Sequence, residues 1–492
     1  MAPEASIIIP NYNNGRKSSL DGQTDLLGDL LHSIDRVFAH QRSRVEVVIA
    51  DDGSTDDSLE TARAWAARPG GAESLSCRLI ESDHSGVLSS VLNQLMDATT
   101  GPLVFRFDGD ILLFGEDWLE SVVAHFASDD RLAVLGGCQL APDGSVLGLG
   151  DLLFHPHGYQ HLGAGLSGAI PFEPLDPDHV MGCCHIMRRS AYESIGPYDP
   201  SILRGQTVDL TVRLREAGWR LRTDPSLRYE HRLALRVNRS SRSDQPEGIE
   251  HSRRTFREKW GFDRLCPDMD RMRARLGEEL VPQAELDEEP SRSGIDSEPE
   301  ARANRAHLLR HLVVPGRPMR IGSFGTGDGR LETALARDGI LVTSLEDRSS
   351  AIDAARLLGT KDADHRIPHL VEDFSRVELP DESFDLLLVD RVLERHVNPI
   401  VLLEELDRLL SPEGVLLLLV SWCSPEQRLQ QPRALGRMTP SGLRSLLHNS
   451  GLFRSIAFRD RPFPRPEPDL LVYALRARGA QPSGVGEPTL CR

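Results

Sequence analysis

The stretch VVIADDGSTDDS, residues 47–58, decides the fold class of the first half of the chain. Its apolar run has the length of a buried strand and stops at Asp51 and Asp52, after which Gly53 and Ser54 favour a turn into a helix. Similar strand-like runs at 6–9, 45–50 and 103–107 alternate with helical patterns at 26–38, 59–67 and 87–98. This alternation predicts an α/β domain with a mostly parallel sheet.

Two further strand ends carry residues suited to a ligand, and ligands of open α/β sheets bind beyond the carboxyl ends of the strands. In IIIPNYNNG, residues 7–15, we expect Pro10 to stop the first strand and Tyr12 to offer a flat face to a base. LVFRFDGD, residues 103–110, ends in Asp108 and Asp110. Two carboxylates on an apolar strand are costly unless a cation lies between them, and Mg²⁺ or Mn²⁺ bridging two phosphates would supply that charge. Acids also follow strands simply because Asp favours turns, so each site alone has that second explanation.

The α/β rhythm restarts after residues 278–300, a stretch dense in Glu, Asp, Pro and Ser. This composition is typical of a linker. We therefore predict a first domain at 1–277, an acidic linker at 278–300, a second α/β domain at 301–478 and a flexible tail at 479–492. In the second domain GTGDG, residues 325–329, follows a strand-like run, and Glu346 ends the next run, where an acid holds a ribose diol in doubly wound folds.

Bulk composition limits the function classes. The 492 residues carry a net charge of −17, which argues against a general nucleic-acid binder. The seven cysteines show neither paired zinc spacing nor a disulfide framework, which favours a reducing compartment. The N-terminus lacks a signal-peptide pattern, and the longest apolar run is strand-sized. We expect a cytoplasmic protein without a spanning helix, although peripheral membrane contact through a lipid-linked acceptor is compatible with the sequence.

Residues 6–262 resemble a family 2 glycosyltransferase of the GT-A fold. The resemblance rests on motifs in family order: IIIPNYN, DDGSTD, HSGVLSSVLNQLMDATTGPLVFRFDGD, APDGSVLGLG, GCCHIMRRSAYESIGPYDP, DLTVRLREAGWRLRTDPSLRYEH and FREKWGF. It implies a hexosyltransferase that uses a UDP- or dTDP-type sugar donor. By this resemblance Asp51, next to Asp52, contacts the nucleobase in a pocket lined by Pro10 and Tyr12. Asp108 and Asp110 would form the metal-binding Asp-x-Asp, with His231 close to the same Mg²⁺ or Mn²⁺ ion.

One departure concerns the catalytic base. Inverting members of this family carry a Glu-Asp pair before the DLTVRL helix, where this chain has Gln206 and Thr207. Neither side chain is a general base at neutral pH. Three hypotheses remain open: Asp209 acts as the base through a shifted helix start, the acceptor brings or needs a different base, or the domain binds a nucleotide sugar without efficient turnover. Asp209 would otherwise be a structural cap.

Residues 302–477 resemble a class I, type 11-like methyltransferase, most specifically in PDESFDLLLVDRVLERHVNPIVLLEELDRLLSPEGVLLLLVSW, residues 380–422. The resemblance implies a site for S-adenosylmethionine. Ser323, Gly325 and Gly327 would approach the cofactor, Glu346 would hold its ribose and Asp373 would lie near the adenine. Several positions depart from the family pattern: Ile321 and Ser323 replace the usual acid and first glycine, and Pro412, Glu413 and Gly414 replace Pro-Gly-Gly. His396 is a candidate base for a sugar hydroxyl, or a solvent-facing loop residue.

The leading hypothesis is a bifunctional enzyme that adds a sugar and methylates the product or a related intermediate. A second is a non-catalytic scaffold in glycan assembly, and a third, a sugar nucleotidyltransferase, is a poor match because PNYNNGRKS lacks a triphosphate-holding loop. We interpret the Cys183, Cys184 and His185 run as a buried strand rather than a metal site. His155, His157 and His161 are interpreted as loop residues.

Overall fold

The computed structural model describes 19 stretches of the chain. They are residues 3–19, 22–41, 44–69, 75–153, 160–169, 171–232, 246–262, 299–313, 318–325, 330–336, 338–340, 342–346, 369–370, 374, 376–396, 398–421, 423–430, 438–459 and 470–477. Below, the described residues up to 262 are called the N-terminal half, and those from 299 onwards the C-terminal half.

The N-terminal half alternates strands and helices. Its strands are β1 (Ala5–Asn11), β2 (Arg16–Ser19), β3 (Gly22–Asp25), β4 (Val45–Asp52), β5 (Ser76–Ser82), β6 (Leu103–Phe107), β7 (Ile111–Leu113), β8 (Leu132–Leu140), β9 (Val146–Gly148), β10 (Asp151–Leu152), β11 (Gln160–His161), β12 (Cys184–Arg188) and β13 (Arg220–His231). Its helices are α1 (Leu26–Val37), α2 (Ser58–Ala66), α3 (Leu88–Asp97), α4 (Trp118–Ser128), α5 (Arg189–Ile195), α6 (Gln206–Glu216) and α7 (Pro246–Trp260).

The main sheet of this half has the order β5-β4-β1-β6-β12-β8-β13-β7, with β9 paired to β8. The strands β5, β4, β1 and β6 are mutually parallel, whereas β12 runs antiparallel to both β6 and β8. The predicted α/β class is confirmed, but the sheet is mixed beyond β6 rather than mostly parallel. The chain extends from β1 to β4 and β5 on one side and then crosses to β6, so the order reverses between β1 and β6.

Apolar side chains on the central strands point alternately to two cores. Ile7 and Ile9 pack with the buried face of α1, while Ile8 packs with α3. This two-sided burial explains the continuous apolar run of β1. Pro10 does not stop this strand as expected, since β1 continues to Asn11 and Pro10 lies opposite Ala50. The pairing with β6 has already ended at Ile8, so a missing N–H at Pro10 disrupts little.

The C-terminal half is a second α/β unit. Its strands are β14 (Ile321–Phe324), β15 (Val342–Glu346), β16 (His369–Leu370), β17 (Phe384–Asp390), β18 (Leu410–Ser421), β19 (Phe453–Arg459) and β20 (Leu470–Ala477). Its helices are α8 (Pro299–Leu312), α9 (Arg330–Ala336), α10 (Pro399–Leu409), α11 (Pro425–Gln430) and α12 (Pro440–Ser450), with a 3₁₀ turn at Leu393–Arg395.

The second sheet has the order β16-β15-β14-β17-β18-β20-β19, parallel as far as β18 and antiparallel beyond it. Leu387 and Val389 of β17 face the core formed with α10, whereas Leu386 and Leu388 face the core formed with α8 and α9. Helices therefore cover both faces, as a doubly wound sheet requires. The order reverses between β14 and β17, which places a binding crevice at the carboxyl ends of these two strands.

The predicted linker at 278–300 lies outside the described residues except for Pro299 and Glu300, which begin α8. The predicted tail at 479–492 is also outside them, and the domain boundaries stay predictions. Among the helices that the structure describes, none combines the length and the apolar character needed to span a bilayer.

Candidate active sites

The first candidate site lies at the carboxyl edge of the N-terminal sheet, where β1, β4 and β6 end side by side. Asn11 at the end of β1 donates from Nδ2 to Asp51 Oδ1 of β4 over 2.6 Å. Asp51 is buried and also accepts hydrogen bonds from the Ser54 N–H, at 2.9 Å, and the Ser54 hydroxyl, at 2.6 Å. The Asp51 carboxylate thus fixes the turn after β4 against the end of β1. Its contact with a nucleobase remains a prediction.

Asp52 and Tyr12 are linked through a histidine that the sequence reasoning did not single out. Asp52 accepts hydrogen bonds from the backbone N–H groups of Ser85, at 2.8 Å, and Gly86, at 3.2 Å, and lies 2.9 Å from His84 Nδ1. The His84 ring stacks on Tyr12 with 4.0 Å between centroids and 12° between planes. One face of Tyr12 is therefore covered by His84, and a base would have to use the other face or displace the imidazole.

Asp108, directly after β6, receives its counter-charge from its own strand. Arg106, which is 2% exposed, donates to Asp108 Oδ1 from Nη2 at 3.0 Å and from Nε at 3.3 Å. Burial alone lowers the pKa of Arg106, but the carboxylate outweighs this effect and raises it. The cation expected beside Asp108 is thus partly supplied by the protein. The Asp108 N–H also donates to the Cys183 carbonyl over 2.9 Å, which ties the strand end to the segment before β12.

Asp110 pairs with His231 at the end of β13. His231 Nε2 lies 3.4 Å from Asp110 Oδ1, and His231 Nδ1 lies 3.0 Å from Gln139 Nε2. The Gln139 side chain therefore holds the imidazole ring with Nε2 towards Asp110. Burial alone lowers the pKa of His231, but Cys183 and Asp110 beside it raise it. The structure therefore brings Asp110 and His231 together, as predicted for a shared cation, while Asp108 is engaged by Arg106.

Asp209 does not face this edge. Its carboxylate is fully buried and accepts hydrogen bonds from Arg213 Nε and Trp260 Nε1, both at 3.0 Å, and lies 2.8 Å from Lys259 Nζ. These partners belong to α6 and α7, so Asp209 anchors one helix to the other. The geometry supports the structural alternative for Asp209 and gives the hypothesis of a shifted base no support.

Thr207 has partners that the sequence reasoning missed. Its Oγ1 lies 3.0 Å from His179 Nε2, and His179 Nδ1 lies 2.7 Å from Asp151 Oδ2. The second Asp151 oxygen contacts His161 Nδ1, so His161 is more than the loop residue we expected. His155 and His157 lie outside the described residues. No spacing in the sequence connects these positions, because each pair is brought together only by the folding of the segments around β10 and β12.

The Cys183, Cys184 and His185 run belongs to a buried segment, with Cys184 beginning β12. Cys183 Sγ donates to Gln139 Oε1 and to the Tyr229 hydroxyl, both at 3.6 Å. His185 is fully buried, and burial is the first cause that lowers its pKa well below the usual value, followed by the charge of Arg106. These residues pack in the core as interpreted from the sequence.

The second candidate site lies at the switch point of the C-terminal sheet. Gly325, after β14, has a φ of +74°, and a Cβ there would lie 2.6 Å from the Asp390 carbonyl oxygen, so only glycine fits without a shift. Ser323 and Glu346 are fully buried on the neighbouring strands β14 and β15, and Ser323 Oγ has no hydrogen-bond partner among the described residues. The predicted cofactor residues Gly327 and Asp373 lie outside the described residues.

Two further residues border this crevice. Asp390, at the end of β17, is paired with the fully buried Arg305 of α8, whose Nε lies 2.7 Å from Asp390 Oδ2. His396 is half-buried and its Nδ1 accepts a hydrogen bond from the Asn398 N–H over 3.1 Å. Its role as a base remains a prediction.

Residues 6–196 match the family model for glycosyl transferase family 2, and residues 323–418 match that for a methyltransferase domain. The chain therefore has one segment similar to family 2 glycosyltransferases, residues 6–196, and one similar to methyltransferase domains, residues 323–418, and these are called below the glycosyltransferase segment and the methyltransferase segment. The resemblance noted from the motifs is confirmed for both.

Relatives of the glycosyltransferase segment bear related names. The Bacillus subtilis (strain 168) protein described as glycosyltransferase EpsE is 28% identical over 223 residues, which cover 44% of this chain and 69% of that protein. A pre-mycofactocin glycosyltransferase of Mycobacterium tuberculosis is 27% identical over 201 residues, and the match spans 39% of each chain. Among solved structures, a mannosyltransferase from Pyrobaculum calidifontis in complex with GDP-Man and Mn²⁺ is 16% identical with a TM-score of 0.38, covering 69% of this chain and 80% of that one.

The residues of the N-terminal half fit a divalent cation shared with a ligand. Among the described residues, no group of three or more His, Cys, Asp or Glu side chains is arranged to hold a metal ion. Asp110 and His231 offer two donors on one side. Mg²⁺ in phosphate sites is commonly held by one or two carboxylates with the remaining positions filled by substrate phosphates and water. The donor set therefore suits an ion that arrives with a diphosphate better than an ion held by protein ligands alone.

The described part of the methyltransferase segment fits a cofactor in part. Gly325 lies against the backbone at the end of β17, which keeps side-chain atoms out of the turn after β14, and the buried Ser323 hydroxyl has no hydrogen-bond partner in the part of the chain that the structure describes. Glu346 stands at the end of the neighbouring strand, where an acid holds a ribose in doubly wound folds.

Proposed function

We propose that the N-terminal half transfers a sugar from a UDP- or dTDP-type donor to a glycan or metabolite acceptor. The observation that carries this proposal is the meeting of four strand-end acids at one sheet edge, within a segment that matches glycosyl transferase family 2. Asp51 and Asp52 order the loops after β4, and Asp108 and Asp110 follow β6. This edge is where an open α/β sheet binds its ligand.

In this proposal Asp110 and His231 hold Mg²⁺ or Mn²⁺, with Asp108 oriented by Arg106 beside them. When bound, the ion offsets the negative charge of the nucleoside diphosphate leaving group. Gln139, through its contact with Nδ1, holds the His231 ring with Nε2 towards Asp110, and binding of the ion would require Nε2 to be the unprotonated nitrogen. The two side chains are largely shielded from water, with 6% of Asp110 and 11% of His231 exposed, which strengthens their interaction with a cation.

The C-terminal half, in the same proposal, methylates the glycosylated product or a related intermediate with S-adenosylmethionine. The cofactor supplies an activated methyl group, and the protein supplies chiefly in-line positioning. Ser323 and Gly325 line the turn above β14, and Glu346 stands where the ribose would lie. A match to the methyltransferase model over 323–418 supports this assignment.

A second candidate, a binding scaffold without turnover, is favoured by two observations. Gln206 and Thr207 stand where a carboxylate base is expected, and Ile321 and Ser323 depart from the usual cofactor motif. Gln206 and Thr207 begin the regular helix α6, and Ile321 and Ser323 lie in the regular strand β14.

Ligand-dependent stabilisation of the full chain tests the proposed sites, because a ligand selective for the folded state raises the melting temperature. We expect UDP to raise it only with Mn²⁺ or Mg²⁺, and Asp110→Asn to abolish that shift. Asp143→Asn, on the exposed turn between β8 and β9, is the matched control and should leave the shift intact. Calorimetric titration with S-adenosylhomocysteine is the corresponding test of the C-terminal half. Equal UDP shifts in both variants would contradict the glycosyltransferase site, and no heat at millimolar S-adenosylhomocysteine would contradict the methyltransferase site.

A further inference from the structure

The side chains of Asp151, His179 and Thr207 form a continuous hydrogen-bonded row. Asp151 Oδ2 contacts His179 Nδ1 at 2.7 Å, and His179 Nε2 contacts Thr207 Oγ1 at 3.0 Å. All three residues are buried, with Asp151 fully so. A hydroxyl, an imidazole and a carboxylate in this order are the arrangement by which enzymes hold a proton taken from a hydroxyl group.

The chemistry of the groups fixes the direction of the row. Burial alone raises the pKa of Asp151, but the charge of His161 and hydrogen bonds from both histidines lower it below its usual range, so Asp151 is ionised. An ionised carboxylate only accepts, hence His179 carries its proton on Nδ1. Nε2 of the neutral ring is then an acceptor, and the Thr207 hydroxyl donates to it.

The row is held rigidly. Asp151 and His179 form an isolated antiparallel bridge, in which each backbone N–H donates to the other's carbonyl at 2.8 and 3.1 Å. The adjacent Asp178 accepts a hydrogen bond from the Leu153 N–H over 3.0 Å, which closes the same segment. On the other side, Gly205 in a left-handed conformation starts α6 and places Thr207 in its first turn. The geometry of the row is therefore set by backbone contacts on both sides.

At Thr207 the row comes close to Asp108, which follows β6 and is one of the predicted metal ligands. A Cβ added at Gly182 would lie 2.9 Å from Thr207 Oγ1, and the next residue, Cys183, accepts the Asp108 N–H at its carbonyl. One short segment thus touches Thr207 and Asp108. Thr207 also occupies the position at which related glycosyltransferases carry their base, so an acceptor bound for transfer would approach it.

We propose that the Thr207 hydroxyl relays the acceptor proton to His179 and that this pair replaces the missing carboxylate base. This inference rests on the glycosyl transfer proposed above. As the acceptor oxygen bonds to the anomeric carbon, its proton passes to Thr207 Oγ1, and the Thr207 proton passes to His179 Nε2. The bond from the anomeric carbon to the diphosphate oxygen breaks, and its electron pair leaves with the nucleoside diphosphate. Asp151 stabilises the resulting imidazolium.

His179 acts through Thr207 and is a positioning residue with a proton-holding role. The charged groups that face it come from several elements: Asp151 of β10, His161 of β11, the adjacent Asp178 with Arg215 of α6 at 3.6 Å, and His185 of β12. Asp151 is the carboxylate in direct contact with the ring. The relay requires the acceptor lone pair on His179 Nε2.

The test is release of UDP or dTDP from UDP-glucose, UDP-N-acetylglucosamine and dTDP-rhamnose by the full chain with Mn²⁺, with water as acceptor. His179→Gln should lower kcat by about 100-fold or more, the usual range for a lost acid–base group, and should leave the UDP-dependent melting shift unchanged. His125→Gln is the matched control, because His125 is also paired with an aspartate, Asp224 at 2.9 Å, but has no contact with Thr207. That control should keep the wild-type rate.

Variants at Thr207 keep the test valid if His179→Gln does not fold. Thr207→Val removes the hydroxyl and should lose activity, whereas Thr207→Ser retains the hydroxyl and should restore it. Thr207→Asp combined with His179→Gln places a carboxylate at the acceptor and should recover turnover. A wild-type rate and pH profile in both His179→Gln and Thr207→Val would overturn the relay alone. A wild-type chain that releases no nucleotide from any donor would overturn the proposed transfer and the relay with it.

Discussion

Each half of the molecule buries an arginine beside an aspartate at the end of a central strand, but the two arginines come from different places. Arg106 precedes Asp108 by two residues on the same strand, so both side chains point to the same face. Arg305 reaches Asp390 from α8, a helix 85 residues earlier and outside the segment that matches the methyltransferase model. Asp108 remains 28% exposed, whereas the Asp390 side chain is 6% exposed.

This difference in exposure means that Asp108 can still contact a ligand, whereas Asp390 has only a structural role. Asp108 keeps part of its surface open at the sheet edge, and its arginine neutralises it without covering it. Asp390 is enclosed, and its pairing makes α8 an integral part of the C-terminal sheet. A second contrast concerns two buried acids. Asp151 in the N-terminal half contacts two histidines, while Glu394 in the C-terminal half accepts a hydrogen bond from the Ser421 N–H.

The largest expected effect comes from removing the two arginines. Arg305→Met should destabilise the C-terminal half by about 3–5 kcal/mol, since it leaves a buried carboxylate without its partner. Arg106→Met should cost less, about 1–3 kcal/mol, because water can reach the partly exposed Asp108. Denaturant titration followed by hydrogen-exchange mass spectrometry assigns each loss to its half.

A matched control separates the charge from the packing. Asp390→Leu combined with Arg305→Met removes both charges and should recover most of the loss. If Arg106→Met proved as destabilising as Arg305→Met, exposure would not be the factor that distinguishes the two pairs.

The next effect concerns Glu394, which lies in the 3₁₀ turn after β17 and is 2% exposed. Burial raises its pKa to about 7, which the hydrogen bond from the Ser421 N–H at 2.7 Å offsets only in part. The folded state therefore holds this proton more tightly than the unfolded chain does. The stability linked to this group is complete below pH 4.5 and is lost as pH rises through 7.

Glu394→Gln stays neutral and keeps an oxygen for the Ser421 N–H. We expect little difference from the wild type at pH 5 and a variant more stable by up to about 3 kcal/mol at pH 8. Thermal melts across this range measure it. Asp151 has the opposite sign, because its lowered pKa adds stability that is lost on acidification. A Glu394→Gln variant that gained equally at both pH values would show that the carboxyl group is not what titrates.

The sequence predicted those parts of the molecule that depend on local pattern. β6 has the expected bounds, Asp51 and Asp52 are the last two residues of β4, and Asp108 and Asp110 come after β6, because burial on two faces and turn preferences act within a few residues. Asp209 shows the limit: its position in the chain suggested a base, but its direction depends on Trp260 and Lys259 of α7.

Local sequence pattern could not predict the row of Asp151, His179 and Thr207 or the Arg305–Asp390 pair either, because both depend on tertiary contacts. Asp151 and His179, and likewise His179 and Thr207, are 28 residues apart, and their contacts form only once the segment between β10 and β12 packs against the start of α6. The prediction for Pro10 was wrong for a different reason. Its residue type predicted the end of a strand, but the pairing with β6 ends two residues earlier and makes proline tolerable there.

The smallest expected effect comes from a feature that the two halves share. Gly53 and Gly325 both follow a strand with positive φ, +72° and +74°, and a Cβ at either would lie 2.6 Å from backbone, the His84 N or the Asp390 O. Gly144 and Gly339 also have positive φ, +80° and +77°, but a Cβ there meets nothing within 4 Å. Alanine at the two open positions should cost about 1 kcal/mol of backbone strain.

At the two crowded positions the backbone itself has to move, and we expect Gly53→Ala and Gly325→Ala to cost about 1–2 kcal/mol more than their controls. Denaturant titrations compare Gly53→Ala with Gly144→Ala and Gly325→Ala with Gly339→Ala. The backbone strain caused by positive φ cancels within each pair. Gly53→Ala should also weaken the UDP-dependent melting shift, because its clash is with the loop that carries the Asp52 contacts to Ser85 and Gly86. Should Gly325→Ala cost no more than Gly339→Ala, the turn above β14 would have room to relax, and the close approach of β14 to β17 would not be what requires glycine there.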